Sequence, residues 1–98
     1  MNKKLKDMNT DYLFNAILQH ETVEECYAFF EDLCTVQELI SSSQRLYVAK
    51  LLHEKHVYND IVEITGASTA TISRVNRSLQ FGNDGYTTVF ERMNKNEQ

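Results

Sequence analysis

The chain has 98 residues, 42% of them hydrophobic, with no Trp, no Pro and three Gly, which suits one domain with few built-in breaks and favours helices over many short strands. A chain of this size hides only about 60 to 70% of its unfolded surface when it folds alone, so a partner subunit would supply core that it lacks. The formal charge of −4 argues superficially against a polyanionic partner, but it is unevenly spread: residues 1–42 carry three lysines against eight acids, whereas residues 43–82 carry five cations against three acids, with no acid from Gly66 to Gly82.

Residues 1–9 read as a polar tail whose lysines are not followed by the apolar core of a secretory signal, and no run of 18 apolar residues follows anywhere. A cytoplasmic protein without membrane contact is expected. From Thr10 the residues Leu13, Phe14, Ile17 and Leu18 recur at helical spacing, which predicts a first helix to about His20 with Thr10 or Asp11 as its cap. Thr22 and Glu25 have the spacing of a capping box, in which the hydroxyl accepts an early N–H and the carboxylate returns to the cap's own N–H. The helix they open carries Val23, Cys26, Tyr27, Phe29, Phe30, Leu33 and Cys34, too many apolar residues for a narrow stripe, and so is expected to meet other helices on more than one side.

A short helix over 36–40, a break at Ser41, Ser42 and Ser43, and a further helix through Leu46, Val48, Ala49, Leu51 and Leu52 to about Lys55 come next. From Tyr58 a short helix with Ile61 and Ile64 leads into Thr65-Gly66-Ala67, and Ser68 then opens a longer helix to Leu79 with Ile72, Val75 and Leu79 inward. The Phe81-Gly82 stop suits a glycine in a left-handed C-terminal position, and a last helix, capped by Asn83 or Asp84, carries Tyr86, Val89, Phe90 and Met93.

The stretch 58–80 has the parts of a helix-turn-helix: two short helices, a turn residue that can take positive φ, and facing apolar residues (Ile61 and Ile64 against Ile72 and Val75) that hold the crossing angle. Fixing that face leaves Ser68, Thr69, Ala70, Thr71, Ser73, Arg74, Asn76 and Arg77 outward, small or polar groups that allow close approach to DNA. Hydroxyls and the helix N-terminus suit phosphate oxygens, methyl groups suit thymine, and arginine suits guanine or the backbone. Lys50 joins Arg74 and Arg77 as a candidate phosphate contact.

Tyr58 to Leu79, YNDIVEITGASTATISRVNRSL, resembles the helix-turn-helix of the Trp repressor family, with GASTATISR the most specific part. The segments ETVEECYAFFEDLCT, QRLYVAKLL and FGNDGY resemble the YerC/YecD type of that family, and together the similarity covers about nine-tenths of the chain. The resemblance implies an intertwined homodimer whose N-terminal helices interlock, with recognition helices entering successive major grooves of double-stranded DNA about 34 Å apart, and a role in transcriptional regulation, as a repressor. The family's base-contacting positions fall on Thr69, Ala70, Thr71 and Ser73. The arginine and serine of the family's tryptophan pocket match Arg74 and Ser78; Gln44 stands where its second arginine belongs, with Arg45 one residue on. Val75 stands where the repressor has a glycine beside the indole, and its three extra carbons occupy space that a flat ring needs. These positions form a candidate effector pocket from which tryptophan is expected to be absent, and no cofactor is expected.

Other chemistry is poorly supported. His53 and His56 flank Glu54, but nothing completes a tetrahedral metal set. His20 suits a helix C-terminus better than a catalytic role. Cys26 and Cys34, eight residues apart on what reads as one helix, would lie about 12 Å apart, too far for a disulfide, and no flanking cation activates either thiol. No phosphate loop or nucleophile motif points to an enzyme. The expectation is therefore an all-α domain over 10–94, flanked by tails at 1–9 and 95–98, that reads DNA. The competing reading is a protein-interaction module whose helix-turn-helix is scaffold only, against which the acid-free stretch from Gly66 to Gly82 speaks.

Overall fold

The computed structural model describes residues 2–97, which hold six α-helices and no strand: α1 Met8–Ile17, α2 Val23–Leu33, α3 Val36–His53, α4 Tyr58–Thr65, α5 Thr69–Phe81 and α6 Gly85–Glu97. The all-α expectation holds. The chain divides into two compact units, Met1–Leu39 and Ile40–Gln98.

In the first unit each helix start is fixed by a side chain that meets an N–H left without an intrahelical partner. α1 begins two residues before the expected Thr10, because the Asp7 carboxylate accepts the Thr10 N–H at 2.7 Å; Asp11, the other expected cap, instead pairs with Lys6 at 3.1 Å on the exposed surface. Hydrogen bonding from Thr10 holds the Asp7 carboxyl below its ordinary value. The helix ends at Ile17, and turn bonds carry the chain on to His20, whose Nδ1–H donates to the Ile17 carbonyl at 2.9 Å while its ring lies 4.7 Å from that of Phe29. α2 opens on Thr22 as expected: the Thr22 hydroxyl accepts the Glu25 N–H, but the Glu25 carboxylate accepts from Glu21 N–H rather than from the cap's own. Cys34 lies just past the helix as its extended C-cap, and both cysteines are free.

One continuous helix replaces the two that the serine run suggested. Thr35 and Glu38 exchange reciprocal bonds at its start, 3.1 Å from Glu38 N–H to the hydroxyl and 2.8 Å from Thr35 N–H to the carboxylate, which lowers the Glu38 pKa. The helix runs through all three serines; Ser43 donates back to the Ile40 carbonyl, and Ser42 accepts from Arg45. α3 ends near the expected place, with Lys55 in the left-handed region (φ 72°) and the bonds His56 N–H to Leu51 and Lys55 N–H to Leu52 closing the last turn.

The core of the second unit consists of Val48, Ala49 and Leu51 from α3, Ile61 from α4, Ala67 from the turn, Ile72 and Val75 from α5, and Phe90 from α6. Leu52, Tyr58, Val62, Leu79 and Tyr86 pack against it. Ile64, expected to face α5, is instead 54% exposed. The inward residues of α4 are Tyr58, Ile61, Val62 and Thr65, a helical stripe from which Ile64 is rotated by about 110° at 3.6 residues per turn. Ala67, from the turn, is buried in the core instead. Gly82 also departs from expectation: its φ of −87° is not left-handed, and the glycine is required because a Cβ there would sit 2.4 Å from the Ser78 carbonyl oxygen. The positive φ of this loop falls on Asp84, just ahead of α6, which continues past residue 94 to Glu97.

Candidate nucleic-acid interface

The turn between α4 and α5 is built from the residues the sequence singled out. Gly66 ends α4 at φ 73°, and its N–H returns to the Val62 carbonyl at 2.9 Å. Ser68 caps α5, its hydroxyl accepting the Thr71 N–H and donating to Thr71 Oγ1, both at 3.1 Å. Ile61, Ile72 and Val75 are sealed between the helices, and each such side chain stabilises the arrangement by about 1.5–3 kcal/mol. α5 is thereby held with its opposite side in solvent.

That side carries Thr69, Ala70, Ser73, Arg74 and Arg77, all exposed, with Ser68 at its head; Thr71 and Asn76 lie at its half-buried margins, Asn76 accepting from Gln80 at 3.2 Å. Among the described residues, neither Arg74 nor Arg77 takes part in an ion pair. Both guanidinium groups can meet phosphate or a guanine edge without first breaking an internal contact. The hydroxyls differ in availability. Ser68 is committed to its cap, leaving Thr69 and Ser73 as exposed groups that can donate or accept.

Lys50, the third candidate phosphate contact, is placed differently. Its ammonium lies 3.5 Å from Glu54 and 5.2 Å from the Tyr47 ring centroid, on the wall of a cavity of about 400 Å³ between α3 and α6 that Leu46, His53, Phe90 and Met93 also line. The candidate effector residues diverge as well. Gln44 donates to the Thr65 carbonyl, Arg45 reaches Ser42 on its own helix, Arg74 is on the outer side of α5, and Ser78 borders a shallow hollow with Leu46, Gly82, Tyr86 and Val89. Val75 is 2% exposed, its methyls within the core. Sequence reasoning had no signal for the role of Gln44, a bond across 21 residues, or for Ala67; the Thr35–Glu38 box was legible as T-x-x-E.

A model of the Trp repressor protein family matches residues 8–94. The chain belongs to the Trp repressor family. It is 51% identical over 94 residues to the uncharacterized protein YerC of Bacillus subtilis (strain 168), covering 96% of this chain and 90% of that one. A crystal structure of a TrpR-like protein from Eubacterium eligens ATCC 27750 superposes with a TM-score of 0.92 at 59% identity, covering 95% of this chain and 96% of the other. A candidate Trp repressor from Staphylococcus aureus gives 0.90 at 58%, with 94% and 92% covered. The Trp repressor family is one of DNA-binding regulators rather than enzymes, and the helix-turn-helix described above lies wholly within the matched residues. No helix among the described residues is long and apolar enough to cross a membrane.

Proposed function

We propose that this chain is a sequence-specific DNA-binding transcriptional regulator, a repressor, that acts in the cytoplasm as a homodimer. The observation that carries the reading is the outward face of α5: small and hydroxyl side chains together with two unpaired arginines, in a stretch free of acids from Gly66 to Gly82, on a helix whose other side is anchored in the core. Arg74 and Arg77 hold phosphates, and Thr69, Ala70, Thr71 and Ser73 approach the bases. Lys50 reaches phosphate only by leaving Glu54 and contributes less. The N-terminal helices support the dimer. Neither α1 nor α2 has a buried residue in the single chain, and large apolar groups stand open there, Met8 at 84% and Tyr12 at 79% among them. A second copy covers them.

No tryptophan co-repressor is used. The valine at 75 in place of the repressor's glycine supports this, as does Gln44, a neutral side chain held by Thr65 where the family's second arginine belongs.

Selection of bound duplexes from a random pool, followed by sequencing, is the test. A pseudo-palindrome with half-sites one helical turn apart is expected, lost in the Arg74→Ala/Arg77→Ala double variant. With four phosphates neutralised per dimer, log affinity falls against log salt with a slope of about −4. A flat salt response and no enriched sequence overturn the reading.

A further inference from the structure

Most side-chain hydrogen bonds described above are caps and turns between near neighbours. The bond from Gln44 Nε2 on α3 to the carbonyl oxygen of Thr65, 3.2 Å and half-buried, joins residues 21 apart in sequence. Its acceptor is at a particular corner. Thr65 is the last residue of α4, so its carbonyl is among those that a helix end leaves without an intrahelical donor. Its hydroxyl donates to the Ile61 carbonyl at 2.7 Å and accepts the Ala67 N–H at 3.1 Å. Gly66 closes on Val62, and the Ala67 methyl is buried beneath the turn. The peptide units between Thr65 and Ser68 set the direction in which α5 leaves the turn. Gln44 pins the first of them from a helix outside the motif.

Without that donor, the Thr65 carbonyl is a half-buried acceptor lacking its protein partner, and the turn gains by rotating it toward water. A small rotation there becomes a larger displacement at Arg77, more than two helical turns further along α5.

We propose that Gln44 is a positioning residue for DNA reading: acting through Thr65, it fixes the angle at which α5 leaves the turn and so the direction in which its recognition face is presented. This rests on the DNA-reading function proposed above. Gln44→Met keeps the length of the side chain and removes the donor, whereas Gln44→Lys restores a donor on a flexible stem. Two measurements on the full chain separate the possibilities: amide hydrogen exchange at Gly66 and Ala67 in the free protein, and affinity for the selected duplex against a random duplex of equal length at the same salt. For Gln44→Met the expected result is faster exchange at both amides and about three- to tenfold weaker binding of the selected duplex, with the random duplex unaffected. Gln44→Lys should recover most of both. Thr65→Val, which removes the hydroxyl's bonds but keeps the carbonyl, acts on the same corner and should reduce the same ratio. Unchanged exchange, equal losses on both duplexes, or no recovery in Gln44→Lys overturns the proposal. If the wild-type chain prefers no sequence, DNA reading itself fails, and the exchange measurement alone decides whether Gln44 sets the turn.

Discussion

Alanine at Gly66 and alanine at Gly82 should both destabilise the chain, but for opposite physical reasons that asparagine can tell apart. At Gly66 a new Cβ meets nothing within 4 Å, so no clash arises; the cost lies in the φ of 73°. Holding an L-residue in the left-handed region costs about 1–2 kcal/mol, and loss of unfolded-state freedom returns about 0.4–1 kcal/mol. The net is about 1 kcal/mol, or roughly 4–8 °C in melting temperature for a domain of this size. Asparagine tolerates the left-handed region, so Gly66→Asn should melt close to wild type. At Gly82 the backbone φ is ordinary, but a Cβ lies 2.4 Å from the Ser78 carbonyl, the same oxygen that accepts the Gly82 N–H at 2.9 Å. Any side chain must push the end of α5 away and strain that bond, so Gly82→Ala should cost more than Gly66→Ala, with Gly82→Asn no better. Thermal unfolding followed by circular dichroism, at one fixed protein concentration because a dimer's midpoint depends on it, reads all four variants. Equal melting of Gly66→Ala and Gly66→Asn, or rescue by asparagine at both positions, would refute the reasoning.

Ile72→Ala should lose about 2–4 kcal/mol in urea unfolding because the side chain is sealed in the core, whereas Ile64→Ala, at an exposed position, should stay within about 0.5 kcal/mol; similar losses would put Ile64 in the core after all. The Asp7 and Glu38 carboxyls are held below their ordinary values of 3.8 and 4.5, chiefly by the backbone N–H groups of Thr10 and Thr35. Because the folded values are depressed, the caps contribute fully above the ordinary values and are lost as pH falls through the lowered ones. An acid titration of helicity should therefore be less steep below pH 4.5 in an Asp7→Asn/Glu38→Gln variant than in wild type, and superimposable curves would count against the assignment. Calorimetry with tryptophan should show no micromolar binding to the wild-type chain; a clear isotherm would overturn the exclusion argued from Val75.

What the sequence determined by itself was whatever neighbouring residues decide among themselves. Thr22 and Glu25 mark a helix start because a hydroxyl and a carboxylate three residues apart can both reach N–H groups that the first turn leaves free, those of Glu25 and Glu21 here. Gly66 marks the turn because few residues accept its φ. The outward face of α5 was legible because Ile72, Val75 and Leu79 share one helical stripe, leaving the polar residues opposite. The misreadings arose where distant parts of the chain compete for a residue. Three consecutive serines favour a break locally, yet α3 runs through them, with its beginning boxed by Thr35 and Glu38 and its later turns holding Val48, Ala49 and Leu51 in the core. Ile64 has the spacing of a core residue, but burying Tyr58, Ile61, Val62 and Thr65 together turns it to solvent. Gly82 reads as a left-handed cap, and only the proximity of the Ser78 carbonyl shows that its lack of a side chain, rather than its φ, is what the fold uses. Gln44 has no local signature at all. Its role comes from the packing that brings α3 beside the end of α4, because a hydrogen bond between residues 21 apart exists only once the chain between them has folded.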